Sequence, residues 1–302
     1  LNLGLFGAHQ NAFEHKPWVE TSLHALGVPG LGWDYIADEE QLFAQDRLAG
    51  GPIVLRRSRT SGGEGMVTAR TPQDVAELWP HVDESFVSVA PFVDGGIPLN
   101  VGATVEGDRV HVHHASLQLI GIPSCTTRPF GYCGNDFGAA RDLSAPALDA
   151  VEDSTRTIGR WLGSHGYRGT FGVDFLVKEG LPLFTEINPR FQGSSAASAR
   201  LSVEQELPCL LVEHVAVFAG ADLKDRPALR DQMRNVDDLA QVVVHWTGPE
   251  PKVVDTAALV AAIGAVDPEC VAETVAPEGA CVHPGATLAR FVTRRRLTQT
   301  GF

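Results

Sequence analysis

Hydrophobic and polar positions along the chain follow two different spacings. Apolar residues at helical spacing predict helices from about Pro17 to Leu26, closed by Gly27, and from Pro72 to Leu78, Ala147 to His165, Ser194 to Phe218 and Thr256 to Ile263. A second short helical piece is predicted around Asp38 to Leu48. Alternating or short apolar runs predict strands at Ile53 to Leu55, Met66 to Ala69, Phe86 to Phe92, Gly169 to Val177 and Leu183 to Asn188, and near Gln241 to Trp246 and Leu288 to Thr293. Two more, Asn100 to Val105 and Val110 to Leu119, are predicted to pair across the turn Glu106-Gly107-Asp108. The Gly/Pro/Cys-rich stretch from Gly121 to Ala140 reads as a long loop of the kind that covers ligands. No internal repeat is visible.

This pattern divides the chain into an N-terminal segment (residues 1–50), a small strand-loop-strand unit (51–95), a larger unit (96–220) and a C-terminal α/β lobe (221–302). With 302 residues, of which 44% are hydrophobic and 20% charged, the chain can bury a sizeable core. No apolar run approaches the roughly 18 to 20 residues that a membrane span needs, so no membrane partner is expected. A formal net charge of -13 argues against general nucleic-acid binding, which depends on clustered Lys and Arg; the short run Arg294 to Arg296 reads as solvated surface. Five cysteines without CxxC spacing indicate neither a disulfide framework nor a zinc site, and a reducing cytoplasm fits them best.

Candidate chemistry concentrates in TFGVDFLVKEGLPLFTEINPRFQ. Strand alternation puts Thr170, Gly172, Asp174 and Leu176 on one face, and Phe184, Glu186 and Asn188 on one face of the next strand, with Phe171, Val173, Phe175, Leu183 and Ile187 apolar behind them. If the hairpin turns about Gly180, Asp174 and Glu186 lie opposite each other, which is unfavourable unless a cation stands between them. Two carboxylates and the amide oxygen of Asn188 suit a hard divalent ion such as magnesium. Arg190 can hold a phosphate or a developing acyl-phosphate charge with its fork of donors. Upstream, Arg56-Arg57 leads into Ser61-Gly62-Gly63-Glu64-Gly65, a loop able to close over phosphates, although alone it is a weak signal and lacks a P-loop ending.

Taken together, Lys16, the Arg56 to Gly65 loop and the Asp174, Glu186, Asn188, Arg190 set make the chain resemble the ATP-grasp superfamily over about Lys16 to Gly220. In HKPWVETSLHALGVP the Lys ahead of the helix is Lys16; the second basic position, nine residues before the last loop glycine, is Arg56 in place of the usual Lys. VAPFVDGG resembles the hinge strand that contacts adenine, through Ala90, Phe92 and Val93, and the ending E-x-N-P-R is matched by Glu186 to Arg190. The match is closest to the biotin carboxylase-type branch, with Ser116-Leu117-Gln118 resembling its S-M-Q strand. Where those carboxylases carry a base Glu, however, this chain has Ser194, and their basic cluster is replaced by Leu119-Ile120-Gly121.

The resemblance implies an α/β (α+β) fold of the ATP-grasp type, in which two α+β subdomains clamp ATP, followed by a small C-terminal lobe. It implies a carboxylate-amine ligase that forms an amide or peptide bond through an acyl phosphate; the alternatives are a carboxylate-thiol ligase loading a carrier protein and a non-catalytic ATP-binding module. ATP and Mg2+, with Mn2+ as a substitute, are the implied cofactors, small-molecule acids and amines the partners, and a homodimer one possible assembly. The nucleotide is assigned to Lys16, Arg56, Ser61, Gly62, Gly63, Gly65, Ala90, Phe92, Val93 and Asn100, the metal to Asp174, Glu186 and Asn188, and catalysis to Arg190 and Gln118. Arg128 and Ser194 are candidates for substrate contact, Ser194 and Ser195 being read first as helix caps. Phe130 and Tyr132 are candidate pocket walls, Cys125 and Cys133 read as loop packing, and His111 and His113 as polar strand residues rather than metal ligands. The chain opens on Leu1, and only fifteen residues precede Lys16, so the family's preceding lobe is expected to be short or missing.

Overall fold

The computed structural model describes residues 3–4, 7–37, 47–58, 62–79 and 86–298. Its strands in chain order are β1 (Asp34–Ile36), β2 (Ile53–Arg57), β3 (Met66–Ala69), β4 (Val87–Pro91), β5 (Ile97–Glu106), β6 (Arg109–Ile120), β7 (Tyr132–Asp136), β8 (Gly169–Lys178), β9 (Leu181–Asn188), β10 (Ala240–His245), β11 (Lys252–Val253), β12 (Val271–Val275), β13 (Cys281–Val282) and β14 (Thr287–Thr293). They form a four-stranded sheet in the order β1-β4-β2-β3, an eight-stranded sheet in the order β12-β14-β10-β7-β6-β5-β8-β9, and the small pair β11-β13.

The large sheet carries the main core. Helix Ala145–Ser164 begins at Ser144, whose hydroxyl accepts from the Ala147 amide, and buries Leu148, Val151, Thr155, Ile158 and Leu162, the three- and four-residue spacing of one helical face. That face packs against β5 and β6 and meets the apolar side of β8, where Phe171, Val173 and Phe175 are buried. Replacing Phe171 by Ala would cost about 3–5 kcal/mol on the usual scale of core truncations. The small sheet has its own core of Ile53, Leu55, Val75, Val87 and Val89, and helix Pro72–Leu78 covers it, entered through a capping box between Thr71 and Asp74.

Several sequence expectations change. Gly121 to Ala140 is not one loop: β7 lies in it and pairs with both β6 and β10, and helix Phe137–Ala140 follows. YCGND has no apolar alternation to announce a strand. The single helix expected from Ser194 to Phe218 is two, Ser195–Glu204 and Leu210–Ala219. Glu206 adopts a left-handed φ of 56° and Pro208 disfavours helix before it, so the chain must stop and restart. The turn of the β5-β6 hairpin is the two residues Gly107-Asp108, because Glu106 pairs with Arg109. The C-terminal segment joins the large sheet edge-on through β10 and β7. The helix expected at Asp38 to Leu48 falls largely outside the described residues, which resume with the 3-10 turn Arg47–Gly50. Among the described residues no helix is long and apolar enough to cross a membrane.

Candidate active site

Asp174 and Glu186 are register partners across the β8-β9 hairpin, but by a different route from a turn about Gly180. The turn is the two-residue Glu179-Gly180, with φ of 52° and 81°, so Lys178 pairs with Leu181 and Phe175 with Phe184. A bulge between Asp174 and Phe175 then inserts Thr185, whose hydroxyl donates to the Asp174 carbonyl at 2.9 Å, and this restores the opposition of Asp174 and Glu186. The bulge also changes faces. Phe184 lies in the core with Ile187, while Thr185, Glu186 and Asn188 line the cavity, so the expected sharing of one face by Phe184 and Glu186 fails, and Leu183 is not among the buried core residues.

The Asp174 carboxylate is surrounded by amides. Asn100 Nδ2 donates to it at 2.6 Å, Asn188 Nδ2 at 3.1 Å, Gln118 Nε2 at 3.2 Å and Gln192 Nε2 at 3.4 Å. Burial, followed by the charge of Glu186, nevertheless pushes its pKa up to about 7, against the pull of Asn100, Asn188 and Gln192. Ser194 donates to Asn100 Oδ1 at 2.6 Å, which orients the Asn100 amide toward Asp174. This corrects the expectation for Ser194: its side chain makes no capping bond to the helix that follows. Ser195 instead accepts from the Gln192 amide at 2.9 Å. Gly172 supplies the space for Gln192, since a Cβ there would lie 1.7 Å from Gln192 Oε1.

The same cavity, about 520 Å³, opens between the two sheets. It brings together Lys16, Arg56, Gly62, Gly63, Ala90, Phe92, Val93, Asn100, Gln118, Asp174, Glu186, Asn188, Arg190 and Ser194. Gly65 is not among its lining residues, and Ser61 lies outside the described residues. Lys16 opens helix Lys16–Ala25 and donates from Nζ to Glu186 Oε1 at 2.8 Å. Arg56 is 4% exposed; it donates to Glu20 Oε1 at 2.8 Å and stacks 3.8 Å from the centre of the Trp33 ring. Tyr35 donates to the other oxygen of Glu20, whose charge, after burial, holds the Tyr35 hydroxyl well above the usual range. Arg56 Nε and Trp33 Nε1 are buried without a protein partner, leaving two donors on cavity-lining residues for the oxygens of an anionic ligand.

Glu20, Trp33 and Gln192 had no role in the sequence reading. Trp33 follows a Gly/Pro turn with no periodic signal, and Glu20 lies on a helix face that is legible only once Arg56 is placed beside it. Gln192, inside the motif itself, could have been found. Arg128 stands outside the cavity lining, 3.5 Å from Glu64 of the glycine loop. His111 pairs with Glu106 at 2.9 Å and His113 with Glu213 at 2.8 Å. Among the described residues no three His, Cys, Asp or Glu side chains cluster as a metal site, so a cation here would rest on two carboxylates and an amide. That donor set fits a hard divalent ion, and the two carboxylates face each other across the hairpin, where a cation would offset their repulsion.

A family model described as "ATP-grasp domain" matches residues 23–194. The chain is 26% identical over 169 residues to the formate-dependent phosphoribosylglycinamide formyltransferase of Nitratidesulfovibrio vulgaris, a match covering 55% of this chain and 40% of that protein. It thus spans less than half the length of this curated relative. Among solved structures it resembles carboxyaminoimidazole ribonucleotide synthase from Aspergillus clavatus complexed with ATP, with a TM-score of 0.70 at 14% identity over 96% of this chain and 70% of that one. It also resembles a biotin carboxylase-beta-gamma-ATP complex from Campylobacter jejuni, with a TM-score of 0.67 at 14% identity over 95% of this chain and 63% of that one. These likenesses concern the fold. With the family match covering more than half of its residues, the chain belongs to the ATP-grasp family.

Proposed function

We propose that this chain is an ATP-dependent carboxylate-amine ligase that works through an acyl phosphate. The observation that carries the reading is the convergence of Lys16, Arg56, Asp174, Glu186, Asn188 and Arg190 on one cavity that Gly62 and Gly63 also line. The described motifs hold no Ser-His-Asp or Cys-His arrangement. In-line phosphoryl transfer needs none, since it depends on positioning and charge neutralisation.

Ala90, Phe92 and Val93 would seat the adenine, and Lys16 and Arg56 would hold phosphate oxygens. A divalent cation on Asp174, Glu186 and Asn188 would neutralise charge between the β- and γ-phosphates. A carboxylate oxygen attacks the γ-phosphorus; the bond to the bridging oxygen breaks and ADP leaves. Arg190 stabilises the charge on the transferring group and on the acyl phosphate. The amine then attacks the acyl carbon, a C–N bond forms, phosphate departs and the amine proton passes to solvent. Gln118, 3.2 Å from Asp174, orients the acid beside it.

A nucleotide-binding module without turnover is the second reading, and the Lys16–Glu186 ion pair favours it, because it engages a carboxylate that the metal needs. One experiment separates the two. The protein is incubated with ATP, Mg2+ and pools of carboxylic acids and amines, and phosphate and product masses are followed. The ligase releases phosphate only when acid and amine are both present; tight ATP binding with no release from any pool would rule it out.

A further inference from the structure

Among the described residues, the half of the cavity beyond those proposed for phosphate and metal has no charged lining side chain. Among the described residues lining the cavity, Lys16 pairs with Glu186, Arg56 with Glu20, and Asp174 is held by amides, which leaves Arg190 as the cation without a carboxylate partner. On the β6-β7 side the walls are Ile120, Pro129, Phe130 and Tyr132, with Gln118 and Asn135 as the neutral polar members. The first four form one patch. Ile120 and Tyr132 are register partners, and the Gly121 amide donates to Gly131 at 2.8 Å, folding the intervening loop back on β6. Phe130 meets the glycine loop from below: a Cβ on Gly63, whose φ is +75°, would lie 1.8 Å from the Phe130 carbonyl oxygen.

The patch lies close to the chemistry. Gln118 touches Asp174 at 3.2 Å, and Ile120 is the next residue on the same face of β6. Two residues of strand span about 6.6 Å, roughly the length of a phenyl ring or a branched alkyl group attached to a carboxylate. Among the described residues lining this wall there is no cation to meet a phosphorylated or polyanionic substrate, whereas an apolar body would release water from Ile120, Pro129, Phe130 and the Tyr132 ring.

We infer that the acid substrate is a small carboxylic acid with an apolar or aromatic body, its carboxylate at Arg190 and its body against Ile120, Pro129, Phe130 and Tyr132. The inference rests on the ligase reading, yet binding can be tested without turnover. Benzoate, phenylacetate, isovalerate, formate and a phosphorylated acid such as 3-phosphoglycerate are titrated calorimetrically into the protein with Mg-ADP, and each is then assayed for ATP- and amine-dependent phosphate release. Ile120→Asp and Phe130→Ala are compared with the conservative Ile120→Val and Phe130→Leu, with ATP affinity as the control for folding.

The expected result is that aryl or branched acids bind, that Ile120→Asp and Phe130→Ala raise the KM for the acid roughly ten- to hundredfold, the worth of one buried apolar group, and that the conservative variants restore it. Binding of these acids, weakened by Ile120→Asp and Phe130→Ala, with no phosphate release would uphold the apolar acid-binding site and sink the ligase reading. Phosphate release with formate or the phosphorylated acid alone, or unchanged acid KM in both disruptive variants, would overturn the inference and leave the ligase standing. No binding and no release by any acid would overturn both.

Discussion

Lys16 and Glu186, 170 positions apart in the chain, meet at 2.8 Å in the mouth of the cavity. The ammonium sits on one of the two carboxylates that face each other across β8 and β9 and partly offsets their mutual repulsion. A metal arriving with nucleotide would take Glu186 and free Lys16 for phosphate.

Lys16→Met should therefore raise the affinity of the nucleotide-free protein for Mg2+ by about two- to fivefold, equivalent to the roughly 0.5–1 kcal/mol of a partly exposed ion pair, while weakening ATP binding. Calorimetric titrations with Mg2+ and with ATP check both directions. Glu186→Gln should abolish turnover without unfolding the protein, and retained turnover would show that the metal assignment is wrong.

Asp174 makes a pH prediction. Its pKa is about 7 in the folded protein against an ordinary 3.8. Because the folded value is raised, the stability from this group is fully present below about 3.8 and is lost as pH rises through about 7. Without metal, Asp174→Asn should flatten the slope of Tm against pH in that window. Divalent cations must displace the same proton, so their affinity should rise from about pH 6 and level off near pH 8.

His114 works in the opposite sense. Burial lowers its pKa from 6.5 to about 4, with Gln205 beside it at 3.1 Å, and His113 is lowered by the same cause. A depressed folded value gives stability that is present above about 6.5 and lost as pH falls through about 4. His114→Gln should make acid unfolding shallower over this range, as followed by circular dichroism; an unchanged acid limb would contradict it.

Gly172→Ala probes the second layer of the site. Its methyl would overlap Gln192 Oε1 and drive that amide away from Asp174. The fold should survive, and the rate should fall about tenfold or more, the scale on which small misplacements act. Stopped-flow or steady-state rates beside a thermal melt would show whether activity falls while Tm holds.

How far the chain announces all this can be judged residue by residue. Glu186, Asn188 and Arg190 stand in a motif whose side-chain chemistry is explicit, and the helix Ala145–Ser164 is written in its apolar spacing. The Thr185 bulge is not written anywhere: an extra residue in a strand changes which face its neighbours take without changing composition. β7 was missed because its pairing is set by β6 and β10, which flank it, and not by its own residues. The break between Ser195–Glu204 and Leu210–Ala219 was legible in Pro208, but the apolar residues on either side gave the stronger signal.

The eight-stranded sheet has a mechanical consequence. Asp174, Glu186, Gln118, Tyr132 and the C-terminal strands all belong to one hydrogen-bonded ladder, so the distance from the Asp174–Glu186 pair to the apolar patch is fixed like graduations on a ruler. Arg56, Ala90 and Phe92 belong to or adjoin the separate four-stranded sheet. On the proposed ligase reading, any closure around nucleotide would fall to that smaller sheet, while the large one keeps its measure.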